Sequence, residues 1–319
     1  MAVYTEVNGD QLTAFLTQYD VGTPRTFKGI AEGVENSNYL LRTRSGSFIL
    51  TLYEKRVEAA DLPYFLDLMN HLAARGVRCP VPIRSRAGAT ALELCGRPAA
   101  IVTFLDGVPV HAPGSTHCAG LGKAAATLHR AGGDFPGKRP NDLSVSGWRP
   151  LFEACANEAD KVEPGLASLL SEELDYLEQN WPGGLPQGVI HADLFPDNVF
   201  FLDDRLSGII DFYFACNDAL AYELAVCLNA WCFRPDGSFD AANAQALMAG
   251  YQEVRPLLRG EKQALVTLAR GAALRFLLTR LYDWLNQVDG ALVKCKDPRE
   301  YIPRLAFHRK VAGPAEYGL

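Results

Sequence analysis

Residues 188–215 read GVIHADLFPDNVFFLDDRLSGIIDFYFA. Short apolar runs, Val189-Ile190, Val199-Phe200-Phe201 and Ile209-Ile210, are separated there by polar loops. That is the pattern of brief strands holding turns, not of a helix. Within it Asp193 stands two residues after His191, Asn198 five after Asp193, and Asp211 thirteen after Asn198. Moving a phosphoryl group onto an alcohol calls for a carboxylate that orients the hydroxyl and accepts its proton, and for oxygen ligands that hold Mg²⁺ on nucleotide phosphates. The stretch offers both, as H-x-D-x-x-x-x-N followed by a strand and an aspartate. Mg²⁺ prefers hard oxygen ligands and needs only one or two from protein when phosphates supply the rest. Taken singly, an Asp or Asn in a turn is ordinary turn chemistry. The combination carries the expectation that Asp193 is the base, that Asn198 and Asp211 hold the metal, and that His191 braces the loop.

Working outward toward the amino terminus, Leu12, Phe15, Leu16 and Tyr19 recur at helical spacing after Asn8, with Gln11 placed for a capping box and Gly22 beyond the end. Strands are expected at 25–31, 37–43 and 47–53, the last two joined at Ser45-Gly46. Leu62, Phe65, Leu66, Met69, Leu72 and Ala73 mark the apolar face of a helix that stops at Gly76, ahead of Pro80 and Pro82. Two further strands, 91–94 and 98–104, flank a turn at Cys95-Gly96-Arg97. Toward the carboxyl terminus the text turns helical: Leu121, Ala125 and Leu128 share a face, helices are expected at 149–161 and 166–180, and they resume at 219. The fold class that follows is α+β: an antiparallel five-stranded N-terminal lobe, 1–104, and a mainly helical C-terminal lobe, 105–319, with a small β insertion. No internal repeat or low-complexity linker interrupts it.

Composition narrows the partners. The chain has 319 residues, 48% of them hydrophobic, and 31 Lys and Arg against 37 Asp and Glu give a formal charge of -6. That balance provides no general attraction to nucleic acid or to an anionic membrane. The start, MAVYTEVNGDQLTAF, lacks the basic and apolar regions of a signal peptide. The most apolar stretches are short or carry Glu223 and Asn229 within them, so no transmembrane segment and a cytoplasmic location are expected. Eight cysteines lie scattered without a CxxC pair. Cys216, Cys227 and Cys232, though close in sequence, have no histidine at ligand spacing and read as reduced packing thiols. Nothing in the sequence speaks to oligomeric state.

HADLFPDN at 191–198 and IIDF at 209–212 resemble the signature of the aminoglycoside-phosphotransferase and choline-kinase superfamily, and the resemblance covers nearly the whole chain. It implies a two-lobed, protein-kinase-like fold, ATP and Mg²⁺ as cofactors, and a small hydroxyl-bearing acceptor. Asp218 and the run Tyr222-Glu223-Leu224-Ala225 match the pattern after the metal aspartate, where an acidic residue starts a helix beneath the catalytic loop; Glu223 stands where aspartate is usual. The resemblance also implies that the turn at 32–38 lies over the ATP phosphates, with Ser37, Asn38 and backbone N–H groups as donors. Adenine is then held by backbone near Thr103, Phe104 and Leu105. The third strand of such folds ordinarily carries a lysine for the phosphates, and here Thr51 occupies its place, with Lys55 four residues on along the same face. With that departure, the combination GVENSNYLL, FILTLYEK, LPYFLDLMNHLAARG, HADLFPDNVFF and GIIDFYFACNDALAYELAVCLNAWC resembles one branch of the superfamily, the bacterial homoserine kinases. That branch implies phosphorylation of the γ-hydroxyl of L-homoserine by ATP on the way to threonine.

Other readings stay open at this level. A different small-molecule kinase of the superfamily, acting on choline, an aminoglycoside or a methylthio sugar, shares the motif; a choline site would want an aromatic cage, for which Tyr213, Trp231 and Trp284 are candidate walls. A non-catalytic nucleotide-binding module is suggested by the missing lysine and opposed by the intact set Asp193, Asn198 and Asp211. An amino-acid acceptor needs both of its charges paired once water is expelled. Tyr213, Glu223 and Arg275 are the candidate acceptor residues, while Arg280 and Asp283 are spaced for an intrahelical pair.

Overall fold

A computed structural model of the chain describes residues 4–30, 36–54, 58–287 and 295–319. The end of the first expected strand at Ala31, residues 32–35 of the expected phosphate turn, and Lys55 lie outside the described residues. The chain divides into two compact units, residues 1–107 with 208–213, and residues 108–207 with 214–319. The segment carrying Asp211 is thus grouped with the first unit, a return that the sequence-based division at 104/105 does not contain.

In the first unit, helix α1 (Gly9–Leu16) opens on Asn8, whose side chain and that of Gln11 cap one another's backbone N–H groups. Strands β1 (Pro24–Gly29), β2 (Ser37–Thr43), β3 (Ser47–Leu52), β4 (Leu92–Leu94) and β5 (Arg97–Thr103) form one sheet in the order β1-β2-β3-β5-β4. Neighbouring strands are antiparallel throughout, with Tyr39 opposite Leu50 and Leu50 opposite Ile101. Alternation along β2 puts Tyr39 and Leu41 inward, where they join Leu50, Leu52 and Ile101 and the α1 side chains Leu12, Phe15 and Leu16 in one core. A strand has a side-chain period of two, so this burial also sets the register. The β4–β5 hairpin turns on Cys95 and Gly96, both at positive φ (54° and 73°), as a two-residue hairpin turn requires. Helix α2 (Leu62–Ala74) buries Leu62, Phe65, Leu66, Met69 and Leu72 and is followed by Gly76 at φ 84°.

The second unit begins with β6 (Val108–Pro109), which pairs with β8 (Val199–Leu202). Helices α3 (Ser115–Ala131) and α8 (Ala241–Val254) pack backbone to backbone, because Gly122 and Gly250 face the partner helix: a Cβ on Gly122 would lie 2.1 Å from the Leu247 carbonyl oxygen, and one on Gly250 2.2 Å from that of Ala119. The helix expected at 149–161 is two helices, α4 (Val145–Glu153) and α5 (Ala156–Val162). The chain turns between them at Cys155, which is buried, as are Trp148 and Phe152 of α4 and Ala159 of α5. Helix α6 (Leu166–Asn180) leads to β7 (Gln187–Ile190), and β9 (Arg205–Ile209) follows β8. A strand the sequence reading did not anticipate, β10 (Cys216–Ala219), pairs antiparallel with β7 and runs directly into α7 (Leu220–Trp231), which is buried over nearly its whole circumference. The long helix α9 (Arg259–Leu285) and α10 (Tyr301–His308) complete the unit. No helix among the described residues is long and apolar enough to cross a membrane.

Candidate active site

The loop between β7 and β8 starts from a fully buried strand end, Val189-Ile190, and is held from beneath by two charged side chains. Glu223 of α7 is buried, and its carboxylate accepts hydrogen bonds from the backbone N–H of His191 and, at 3.0 Å, of Ala192. Arg275 of α9, also buried, donates from Nη1 to the Ala192 carbonyl at 2.6 Å. Ala192 needs this grip: its φ of 62° is in the left-handed region, which costs a residue with a Cβ roughly 1 kcal/mol or more. Buried carboxylate and buried guanidinium therefore hold opposite ends of one strained residue, directly before Asp193. Both were expected among the acceptor-binding residues. Their burial and these bonds make them supports of the loop instead, a role that an acidic residue at this place in the pattern already suggested for Glu223.

Beyond Ala192 the loop is tied in both directions. The Leu194 carbonyl accepts from Trp231 Nε1 at 2.7 Å. His191 is fully buried and its Nδ1 accepts from the Asp193 N–H at 3.3 Å, which leaves the neutral ring its proton on Nε2. A 3-10 turn, Pro196–Asn198, closes the loop and brings the Asn198 amide back, where Nδ2 donates at 2.9 Å both to the Asp193 carbonyl and to Asp193 Oδ2. One Asp193 oxygen is thus fixed and the other, Oδ1, has no partner among the described residues, a carboxylate oriented but not saturated. Burial pushes the Asp193 carboxyl above its ordinary range, against the pull of Arg275, His191 and Lys296 and the Asn198 hydrogen bond. The Asn198 Nδ2 is committed to Asp193.

The support extends inward through the unit. His129 of α3 places Nε2 3.8 Å from Glu223 Oε2 and shares its Nδ1 with the Tyr251 hydroxyl at 2.8 Å. Tyr251 accepts from Arg255 at 3.1 Å, and Arg255 forms a two-point ion pair with Glu261. These residues lie far apart in the sequence and no local pattern pointed to them.

In the first unit, Asp211 follows β9 at a φ of 65°. The segment is anchored on each side of it: the Ile209 N–H donates to the Arg78 carbonyl at 2.9 Å, and the Tyr213 hydroxyl meets that of Tyr53 at 2.9 Å. Tyr213 also packs edge-on against Phe65 of α2. Burial and its neighbours Tyr53 and Asp211 raise the Tyr213 phenol well above its usual pKa. Thr51 and Asn38 are side by side, the threonine hydroxyl donating to Asn38 Oδ1 at 2.8 Å. Ser37 is buried, donates to Glu54 at 2.7 Å and accepts from the N–H groups of Tyr4 and Thr5. Its hydroxyl is fully used by these three partners. At the hinge, the N–H of Thr103 goes to the Val81 carbonyl and that of Phe104 to the Ser47 carbonyl. The Leu105 N–H has no partner among the described residues.

Other sequence expectations resolve plainly. Trp231 is core and its indole N–H is used by the loop, so it walls no cage. Arg280 reaches Glu300 at 2.7 Å, where an intrahelical pair with Asp283 was expected. Cys216, Cys227 and Cys232 are buried free thiols, with Cys216 pushed up to about 12 by burial. No group of three or more His, Cys, Asp or Glu among the described residues is arranged to hold a metal. A cation that takes most of its ligands from nucleotide phosphates and water does not need such a cage.

Residues 26–257 match the model of the phosphotransferase enzyme family. A homoserine kinase of Xanthobacter autotrophicus is 63% identical over 319 residues, covering 100% of this chain and 99% of that one. A homoserine kinase of a Methylobacterium species is 62% identical, again over 100% of this chain and 99% of the relative. Among solved structures, a microcompartment-associated aminopropanol kinase superposes with a TM-score of 0.73 at 18% identity, covering 98% of this chain and 99% of the other.

Proposed function

The chain belongs to the phosphotransferase enzyme family, with the two-lobed protein-kinase-like α+β fold, and on that premise we propose that it transfers the γ-phosphoryl group of ATP to the side-chain hydroxyl of L-homoserine. The product is O-phospho-L-homoserine, and the step lies on the way to threonine. The single observation that carries the acceptor is the likeness, end to end, to relatives that bear the name homoserine kinase. The nucleotide role is assigned to residues 1–104 and the catalytic and acceptor roles to residues 105–319.

In this reading the acceptor hydroxyl donates to the open Oδ1 of Asp193. The hydroxyl oxygen forms its bond to Pγ in line as the bond from Pγ to the bridging oxygen of ADP breaks, and Asp193 takes the hydroxyl proton. Asn198 keeps the other carboxylate oxygen in place, and His191 keeps the Asp193 N–H. Glu223 and Arg275 prevent the strained Ala192 from relaxing and swinging the carboxylate away. Positioning of this kind matters because a misplacement of about 1 Å costs on the order of a hundredfold in rate. The amide oxygen of Asn198 and the carboxylate of Asp211 suit Mg²⁺, which when bound offsets the phosphate charge. Asn38, backbone N–H groups of the turn at 32–38, and the Leu105 N–H are assigned to phosphate and adenine. Thr51 is neutral and replaces no charge, so the metal and backbone must supply what a lysine does elsewhere.

The test is a coupled ADP-release assay with L-homoserine, choline, kanamycin and methylthioribose at matched concentrations. Homoserine is the expected acceptor. Preference for any of the other three sinks the acceptor assignment and leaves the chemistry of the loop standing.

A further inference from the structure

We propose that Asp197 and Lys296 form the grip for the acceptor's two charges, Asp197 taking the ammonium and Lys296 the carboxylate. This deepens the homoserine reading and rests on it. Homoserine bears an ammonium and a carboxylate on one carbon and its hydroxyl two carbons further on. A site for it needs an anion and a cation next to one another and a base a few ångströms away.

The catalytic loop supplies the anion. Asp197 sits in the 3-10 turn between Asp193 and Asn198, and its side chain is 68% exposed. The cation arrives from the far end of the unit: Lys296, 99 residues along the chain and 57% exposed, places Nζ 3.0 Å from Asp197 Oδ2. Lys296 also stands 5.4 Å from the centre of the Phe195 ring, and its charge acts on the Asp193 carboxylate. Phe195, packed edge-on against Phe276, offers an apolar surface beside these charges for the two methylenes of the acceptor.

Glu223 and Arg275 are buried and hold Ala192, and Arg280 is tied to Glu300 and to the Asp297 carbonyl. Asp197 and Lys296 are exposed and paired with one another. An exposed pair of this kind contributes little to stability, so exchanging it for the two charges of a bound amino acid costs little. An acceptor with a single charge, or none, leaves half of the pair unused.

The experiment measures KM for ATP and for three acceptors: L-homoserine, 3-aminopropan-1-ol, which lacks the carboxylate, and 4-hydroxybutyrate, which lacks the ammonium. An analogue that turns over poorly is measured as a competitive inhibitor. Both substitutions, Asp197→Asn and Lys296→Met, are on exposed side chains and leave the fold intact. Each raises KM for homoserine by about tenfold or more, the scale of a lost charge-assisted hydrogen bond, with KM for ATP unchanged. Lys296→Met leaves binding of 3-aminopropan-1-ol as it was, and Asp197→Asn leaves that of 4-hydroxybutyrate as it was. The proposal is overturned if neither variant changes KM for homoserine, or if each weakens both analogues alike. Failure of the unaltered protein to phosphorylate homoserine overturns instead the reading on which the grip rests.

Discussion

Asp193 has one oxygen held by Asn198 and one open, on a loop whose preceding residue is pinned at both its N–H and its carbonyl. A carboxylate so arranged is built for a single directed hydrogen bond. Replacing it should therefore remove turnover and little else: Asp193→Ala is expected to lower kcat by about a hundredfold or more while ATP affinity stays near normal. Steady-state kinetics beside nucleotide titration checks it, and an unchanged kcat contradicts the assignment of the base. The residues assigned to the chemistry divide sharply by how legible they are in the sequence. His191, Asp193, Asn198 and Asp211 occupy a local pattern, because one loop and one hairpin place them and the spacing records that. Arg275 follows its nearest neighbour in the site, Ala192, by 83 residues. The sequence marked it only as a charge in an apolar helix, which fits a ligand for substrate as well as a prop for the loop. Burial and the 2.6 Å bond support the second of these.

Elements show the same division. The bounds expected for β2 are those observed, since one face of the strand is core and the alternation ends where burial ends. The capping box of α1 is equally local. The run 149–161 lacks any comparable stop signal, so its break at Cys155 is seen only in the structure. Strand β10 is four residues, two of them polar, and exists because β7 offers it a partner. At the carboxyl end, α10 carries a testable consequence of burial. His308 is fully buried, shares a hydrogen bond with the Tyr317 hydroxyl at 2.7 Å, and is ringed by Phe233 and Phe307, with Arg304 and Arg270 the charges that act on it. Burial first, then these arginines, lowers its pKa from 6.5 to about 3. The unfolded chain thus binds a proton below pH 6.5 that the folded chain refuses until about pH 3, so this group's contribution is intact above 6.5 and is lost as pH falls across that window. The loss amounts to up to about 5 kcal/mol. His308→Gln should flatten the decline in urea midpoint between pH 6.5 and 4, and an unaltered decline would assign it to other groups.

For the molecule as a whole, the order of a β-rich lobe, a loop-bearing β insertion and a helical remainder is legible from hydrophobic periodicity, and the observed sheet and helices follow it. The return of 208–213 to the first unit is not, because it depends on contacts such as Ile209 with Arg78 that join residues more than a hundred positions apart. The acceptor is the least legible part for a physical reason. In the proposed grip its chemistry is read by exposed charges, and exposed charges look alike in a sequence whether they face solvent or substrate. The central claim is that the loop delivers the γ-phosphoryl of ATP to the γ-oxygen of L-homoserine. Phosphorus NMR with mass spectrometry, on purified protein given Mg-ATP and L-homoserine, tests it most directly. The account predicts a phosphate monoester on the side-chain oxygen, formed in step with ADP; ADP with inorganic phosphate alone, or no turnover of homoserine, would contradict it.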